Sequence, residues 1–331
     1  FCLSRGLGDV YKRQVYVTID EFGLTTSAFD GAVLFAISKS QLIGGGSTNF
    51  VAFGPLSLDG IPLTTLQPAF TTNPLNEEFL LNSFPYDAGG NNNTFSRSLG
   101  LWSLSNTESV TAGGMPKLSG TTITSELYAY PAAALTTNGL SLATFSNDDR
   151  MQQVQYSNGQ LWGALGTALL FQGSPVTVDG IAWFEIRPKV DSSGMIAGAT
   201  FTHQGYVGSP GLYLNYPAIE HTAEGTTAIG FSITSPTLNP STGYVVSNAD
   251  GVSFGDIHTT GVGSGPDIGF TCALGFPQQC RWGDYSWAAL DPNGQNIWMA
   301  SEYIVPPVAT LVMNGMTLQT NWGTRVWEVA G

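Results

Sequence analysis

The chain has 331 residues, of which 11% are charged and 42% hydrophobic, with 41 glycines, 18 prolines and a net charge of -13. Charged residues usually make up roughly a quarter of a soluble domain, so coiled coils and helical bundles, whose exposed faces need Glu, Lys and Arg, are excluded. Nucleic-acid binding is excluded too, because it needs a basic stripe to meet phosphate. The 8 Trp, 12 Tyr and 18 Phe are too many for a disordered chain and are enough to fill a large core.

Taken in chain order, the first fourteen residues, FCLSRGLGDVYKRQ, read as foreign, since GLGDVYKRQ resembles the translation of a sequencing adapter. Leaving out 1–14 makes the remainder still more acidic, and 15–331 is expected to be one truncated domain. No apolar run approaches the roughly 18 residues of a membrane span. From residue 15 onward, short apolar strands recur as VYVTIDEF (15–22), FLLNSF (79–84), LWGAL (161–165), AIGFSI (228–233) and IWMAS (297–301). Three of them follow a turn glycine, at Gly159, Gly225 and Gly294, spaced by 66 and 69 residues. Ten residues before each glycine stand Asp149, Asn215 and Asp284, and nine before stand Arg150, Tyr216 and Tyr285.

A further strand keeps the same register, anchored by an aromatic residue at Phe35, Trp102, Trp183, Tyr244 and Trp327, in steps of 67, 81, 61 and 83. Alternating strands of five to eight residues, punctuated by NG, DG and PNG turns, are the signature of antiparallel hairpins. A small antiparallel sheet repeated about five times predicts an all-β fold, a β-propeller of four-stranded blades; a pair of β-sandwiches is the weaker alternative.

Several stretches resemble a broad class of secreted bacterial propellers, within the sialidase-like superfamily. They are RWGDYSWAALDPNGQNIWMASEYI (281–304), VYVTIDEFG with GAVLFAISKSQL, NDDRMQQVQYSNGQLWGAL (147–165) and the terminal NWGT. In that class an inner strand like DYPTLG precedes the VYVTIDEF-like strand, and here the foreign segment stands in its place. The resemblance therefore implies about four and a half to five blades present, out of about six or seven. It also implies an open edge, which invites pairing or aggregation. A secreted or cell-surface location follows from the resemblance and from the Ser- and Thr-rich, Lys-poor composition.

Propeller loops at one rim form the usual ligand site, so equivalent positions in successive blades are candidates for chemistry. Asp149, Asp284 and Glu302 are the candidate acids or bases, with Asp20 and Glu21 at a corresponding strand end. Arg150, Tyr216, Arg281, Trp282 and Tyr285 are the candidate ligand contacts. An arginine forks a carboxylate, and an aromatic ring stacks on a sugar face. The structural alternative is that these Asp and Arg residues bond backbone amides between blades. On that reading Arg281→Ala is expected to cost stability through lost buried hydrogen bonds.

Cys272 and Cys280 are close enough in CALGFPQQC for a disulfide, worth about 2–3 kcal/mol on the chain-entropy model and implying an oxidising compartment. Two free thiols are the alternative. SNADGVSF (247–254) approaches the sialidase Asp-box with its aspartate one place late, at Asp250, and reads as a turn. GVSFG (251–255) matches G-x-S-x-G around Ser253, but that motif works only on a strand-to-helix elbow. The three histidines, His203, His221 and His258, show no metal-ligand spacing. YDAGGNNN (86–93), SNADG and DPNGQN (291–296) have the oxygens of calcium loops, yet ordinary turns account for them, and no cofactor or metal is expected.

Two functions remain. The first is a non-catalytic extracellular propeller binding a glycan or protein partner at the channel rim. The second is a glycoside hydrolase or lyase with paired carboxylates, which must stand about 5–5.5 or 6.5–9.5 Å apart.

Overall fold

The computed structural model describes residues 3–4, 14–25, 28–71, 75–84, 95–137, 143–267, 279–313 and 316–331. It is nearly all β. The first sheet has the order β1 (Leu3–Ser4), β2 (Gln14–Phe22), β3 (Phe29–Ser38), β4 (Phe50–Leu58) and β5 (Ile61–Pro62), with helix α1 (Lys39–Gly44) after β3. The second comprises β6 (Gln67–Pro68), β7 (Glu78–Ser83), β8 (Phe95–Ser105) and β9 (Lys117–Ala129). After β10 (Ala143–Phe145), the third sheet holds β11 (Met151–Ser157), β12 (Gln160–Leu170), β13 (Thr177–Val190) and β14 (Ile196–Val207). The fourth comprises β15 (Tyr213–His221), β16 (Thr227–Ser235), β17 (Leu238–Val246) and β18 (His258–Gly261). Beyond β19 (Gln279–Arg281), the last sheet has three strands, β20 (Trp287–Leu290), β21 (Ile297–Met313) and β22 (Met316–Val329).

In every sheet the strands follow chain order. The repeated unit is therefore the four-stranded antiparallel meander from which β-propellers are built; among the described residues three sheets have four strands, the first has five and the last three. The sequence repeats fall on equivalent strands. The five short apolar segments are β2, β7, β12, β16 and β21, and the five aromatic anchors lie on the next strand, β3, β8, β13, β17 and β22. Cross-strand pairs keep that register: Val17 opposes Phe35, Leu80 opposes Trp102, Gly230 opposes Tyr244, and Met299 opposes Trp327. Leu3 and Ser4, in the segment read as foreign, pair with Ile19 and Thr18 of β2. No helix among the described residues is long and apolar enough to cross a membrane.

Contacts divide the chain into two compact units, Phe1–Ala129 with Asp149–Gly163 and Phe184–Gln204, and Tyr130–Asp148 with Ala164–Trp183 and Gly205–Gly331. In the first unit, Tyr16, Ala32, Leu34 and Ala36 of the first sheet pack on Leu80, Trp102 and Leu104 of the second. The Trp102 indole donates to Asn82 Oδ1 at 2.9 Å. It lies flat over Gly120, where a Cβ would come within 2.5 Å of the ring. In the second unit, the Trp183 indole lies against Gly205 in the same way, with 3.3 Å left for a Cβ. In these two sheets a third-strand indole packs on a fourth-strand glycine, a pairing the sequence repeats do not advertise. The core of the second unit is made where Ala218, Ala228, Tyr244 and Val246 of the fourth sheet meet Ala288, Ile297, Met299, Trp327 and Val329 of the last.

One pairing was absent from the sequence reading. β10 and β19 form a two-stranded parallel ribbon, with Phe145 opposite Arg281. Hairpin logic detects neighbours along the chain, and these two segments are more than a hundred residues apart.

Candidate active site

The candidate site lies in the second unit and begins with an irregularity of the backbone. In β15 the pairing with β16 jumps from Asn215–Ser232 to Ala218–Gly230, and inside that bulge Tyr216 takes φ +55°. A bulky residue in the left-handed region costs about 1–3 kcal/mol and persists only where packing overrides it. The packing here is a buried cluster of Tyr216, Trp282 and Ile304. Trp282 follows β19, and the chain then turns at Gly283, φ +58°. A Cβ on Gly283 would meet the Tyr216 ring at 3.1 Å and Glu302 Oε2 at 3.5 Å. Glycine is needed there for the left-handed turn and for the Tyr216 ring, and Glu302, on β21, lies beside it.

Around Tyr216 the charges are mostly negative. The Tyr216 hydroxyl is held well above its ordinary pKa, first by burial, then by the charges of Asp284, Asp179 and Asp148, with Arg281 opposing. Glu302 is pushed up as well, by burial first and then by Asp267 and Asp284, while the Gly283 amide, donating to its carboxylate, holds it back. Asp179 is fully buried and raised well above the usual carboxylate range. Neither of its oxygens makes a hydrogen bond of good geometry among the described residues, although the Ser146 hydroxyl and the Gly180 and Thr167 amides lie near enough to oppose the rise. Ser146 also accepts from Asn215 Nδ2 at 2.7 Å.

The rim of this cluster is open. Arg281 Nη2 donates to Asp284 Oδ2 at 2.7 Å, with the arginine side chain 60% and the aspartate 27% exposed. Tyr285 is exposed beside them in the chain. The site thus holds a half-buried carboxyl with a raised pKa and an accessible carboxylate whose charge contributes to that rise, the kinds of group acid–base chemistry uses. Among the described residues no three His, Cys, Asp or Glu side chains gather as metal ligands.

No family model and no curated protein matches the sequence. Among solved structures the chain is similar to a GH43 β-1,3-galactosidase, at TM-score 0.38 and 11% identity, over 91% of this chain and 52% of that one. It is also similar to an α-L-arabinofuranosidase from Clostridium thermocellum (TM-score 0.38, 12% identity, 88% of this chain and 79% of that one). An endo-arabinase from Bacteroides thetaiotaomicron gives TM-score 0.32 and 12% identity, over 96% of this chain and 89% of that one. The chain spans about half the length of the galactosidase.

The residues expected from the sequence separate into two groups. Tyr216, Arg281, Trp282, Asp284 and Glu302 come together in the second unit as described, with Tyr285 beside Asp284 in the chain. Trp282 is 3% exposed, so the stacking role expected of it falls to Tyr285. The Arg281 side chain is 60% exposed and ion-paired to Asp284, a setting in which a salt bridge is worth little. Asp149 and Arg150 belong to the first unit. Asp149 is 1% exposed, and its charge adds to the burial that raises Tyr128. The Tyr128 hydroxyl accepts from the Phe84 amide at 2.8 Å and donates to the Ser98 carbonyl at 2.6 Å. Arg150 is half-buried.

Other candidates have structural uses. Asp20 is buried and accepts from the Thr65 amide and hydroxyl at 2.8 and 3.0 Å. His221 is buried, bonded through Nδ1 to Thr227 Oγ1 at 2.9 Å, and burial lowers its pKa to about 4. Ser253 donates to Asp250 at 2.6 Å within the SNADG turn. That carboxylate also takes the Val252 and Ser253 amides, and its pKa falls to about 2. Asp291 likewise accepts turn amides, from Gln295 and Asn296. Cys280 is buried, with Sγ 3.7 Å from the Asp267 carbonyl oxygen. Cys272 and the whole of the 86–93 loop lie outside the described residues.

Three residues of the site escaped the sequence reading: Asp179, Asp267 and Gly283. Asp179 had a signal, a carboxylate inside the apolar run VTVDGIAWF, which in a buried strand is rare without a purpose. Asp267 and Gly283 had none, since their role arises from the turn that brings them to Glu302.

Proposed function

We propose that the chain is a secreted or cell-surface β-propeller of the sialidase-like class that cleaves glycosidic bonds at the Glu302–Asp284 cluster. One observation carries this reading: Glu302 is half-buried with its pKa raised, in part by the charge of Asp284, which is bonded to an exposed Arg281. Glu302 gives its proton to the leaving glycosidic oxygen as the bond from that oxygen to the anomeric carbon breaks. Water attacks the anomeric carbon, and its proton passes to Asp284. Arg281 forks a carboxylate of an acidic sugar and Tyr285 stacks on a neutral face. On this reading Cys272 and Cys280 pair as a disulfide, in keeping with export.

The exposure of Arg281 and Tyr285 also favours a second reading, a non-catalytic rim that binds a glycan or an extracellular protein. The deciding experiment incubates the protein with galactan, arabinan and a polyuronate, measures new reducing ends, and titrates the same polymers calorimetrically. Release of reducing ends that is lost in Glu302→Gln while binding persists supports the hydrolase. Binding without release supports the second reading, and neither binding nor release defeats both.

A further inference from the structure

We propose that the second unit binds a calcium ion among the side-chain oxygens of Asp179, Asn215 and Ser146. Asp179 lies on β13, Asn215 on β15 and Ser146 directly after β10, all three within that unit and at most 6% exposed. The Ser146 hydroxyl is their common neighbour. Its single hydrogen goes to the Ala132 carbonyl at 2.8 Å, and one of its lone pairs accepts from Asn215 Nδ2 at 2.7 Å. Asp179 lies within reach of the same hydroxyl, which has no second hydrogen to give it.

Three acceptors are left over. Both Asp179 oxygens and Asn215 Oδ1 are buried without a hydrogen bond of good geometry, and burial of such an acceptor, a charged one above all, is costly. A cation answers them together, because it meets lone pairs directly and also neutralises the carboxylate. Asn215 is the last residue of β15 in register before the bulge at Tyr216, and bulges re-aim side chains.

The donor set selects the ion. A carboxylate, an amide carbonyl and a hydroxyl, all oxygen, suit a hard cation over zinc or copper. Calcium takes about six to eight oxygens in irregular geometry, whereas magnesium demands a near-ideal octahedron. Further oxygens have room to join. A Cβ on Gly166 would sit 3.6 Å from Asp179 Oδ1 and 3.9 Å from the Asp148 carbonyl oxygen, so the glycine leaves that side of the carboxylate open. The surrounding field is negative, since the charges of Asp284, Asp179 and Asp148 all raise the Tyr216 hydroxyl. The calcium-like loops of the sequence are a different matter, because Asp250 and Asp291 accept the amides of their own turns. Two of the three ligands proposed here are neutral, so no acidic pattern in the sequence marks them. The calcium site does not rest on the glycosidase reading.

The test is calorimetric titration and a melting curve at pH 8 on protein stripped with EDTA, with calcium chloride as the probe. The wild type should bind calcium stoichiometrically, and at roughly 100 times the dissociation constant its melting midpoint should rise by about 4 °C. Asp179→Asn should melt above the wild type in EDTA, where the buried carboxylate lacks a counter-charge, and should gain nothing from calcium. Asn215→Ala should weaken calcium binding by at least about tenfold, and it stands in for Asp179→Asn if circular dichroism shows that variant unfolded. Asp250→Asn, in the SNADG turn, should keep the full wild-type response. The proposal is overturned if calcium up to about 10 mM, above the range of extracellular calcium modules, leaves the wild type unmoved, as it would if a proton alone relieved Asp179. A calcium response that both Asp179→Asn and Asn215→Ala retain, or an equal response to magnesium, would overturn it as well.

Discussion

The Gly283 amide donates to the Glu302 carboxylate, and the side chain Gly283 lacks would have stood 3.5 Å from Glu302 Oε2. The same glycine presses on the Tyr216 ring. Gly283 thus stands between the proposed acid, whose pKa its amide holds down, and the Tyr216 ring. Gly283→Ala, at φ +58° and with a Cβ 3.1 Å from the Tyr216 ring, is expected to disturb the turn beside Glu302 and lower turnover. Glu302→Gln should lower it further, by at least about 100-fold, the scale of general acid catalysis. In the wild type, activity should decline as pH rises through a Glu302 pKa lying above the ordinary glutamate value, because only the protonated form donates. A pH–rate profile of kcat with no basic limb, or one that Glu302→Gln leaves intact, would count against this assignment.

Arg281 and Tyr285 test the rim. The Arg281–Asp284 pair is exposed, and such pairs are worth about 0–1 kcal/mol, so Arg281→Ala should leave the thermal midpoint nearly unchanged while weakening the binding of uronate polymers. Tyr285→Ala should weaken binding of neutral glycans by about 2- to 12-fold, from a stacking energy of roughly 0.5–1.5 kcal/mol. Calorimetric titration and a melting curve read both effects. A large fall in midpoint for Arg281→Ala would restore the structural role that its sequence position suggested.

Asp179 predicts a pH dependence of stability. Burial raises its carboxyl in the folded state, so the fold favours the protonated form. Its stabilising contribution is complete below the unfolded aspartate pKa, about 3.9. It is lost as pH rises toward the folded value, because ionising the buried group then opposes folding. Asp179→Asn, which cannot ionise, should melt higher than the wild type at pH 8, and the gap should narrow toward pH 4. Scanning fluorimetry across that range is sufficient, and a gap that widens in acid would refute the sign.

His221 acts at the other end of the scale. Burial lowers its pKa to about 4, so the fold holds it neutral. That contribution is present above the unfolded value of about 6.5 and fades as pH falls toward 4. His221→Gln should therefore reduce the loss of stability between pH 6.5 and 4, as measured by urea unfolding. Equal acid sensitivity in variant and wild type would rule the histidine out.

Gly120 and Gly44 separate packing from backbone freedom. A Cβ at Gly120 meets the Trp102 ring at 2.5 Å, whereas one at Gly44 meets nothing within 4 Å. Gly120→Ala should cost about 1–3 kcal/mol through overpacking. Gly44→Ala, in helix α1, should be neutral or stabilise by up to about 1 kcal/mol. Denaturant unfolding at a common slope would compare them directly.

The amino-acid order by itself determined the all-β class, the repeated hairpins and which strand of each sheet carries the aromatic anchor. These follow from alternation along single strands and from turn residues between neighbours, both of which are local. It also marked out Tyr216, Arg281, Asp284 and Glu302, because repeat alignment superposes equivalent strand ends. Tertiary structure alone decided the division between them and Asp149, which shares their repeat position yet serves a buried network with Tyr128. A repeat fixes where a residue sits along its strand, whereas burial depends on what the neighbouring segments bring to it. The bulge at Tyr216, the left-handed turn at Gly283 and the parallel pairing of β10 with β19 are such long-range effects. They, rather than the strands, bring about the burial and the neighbouring carboxylates that raise the Glu302 pKa.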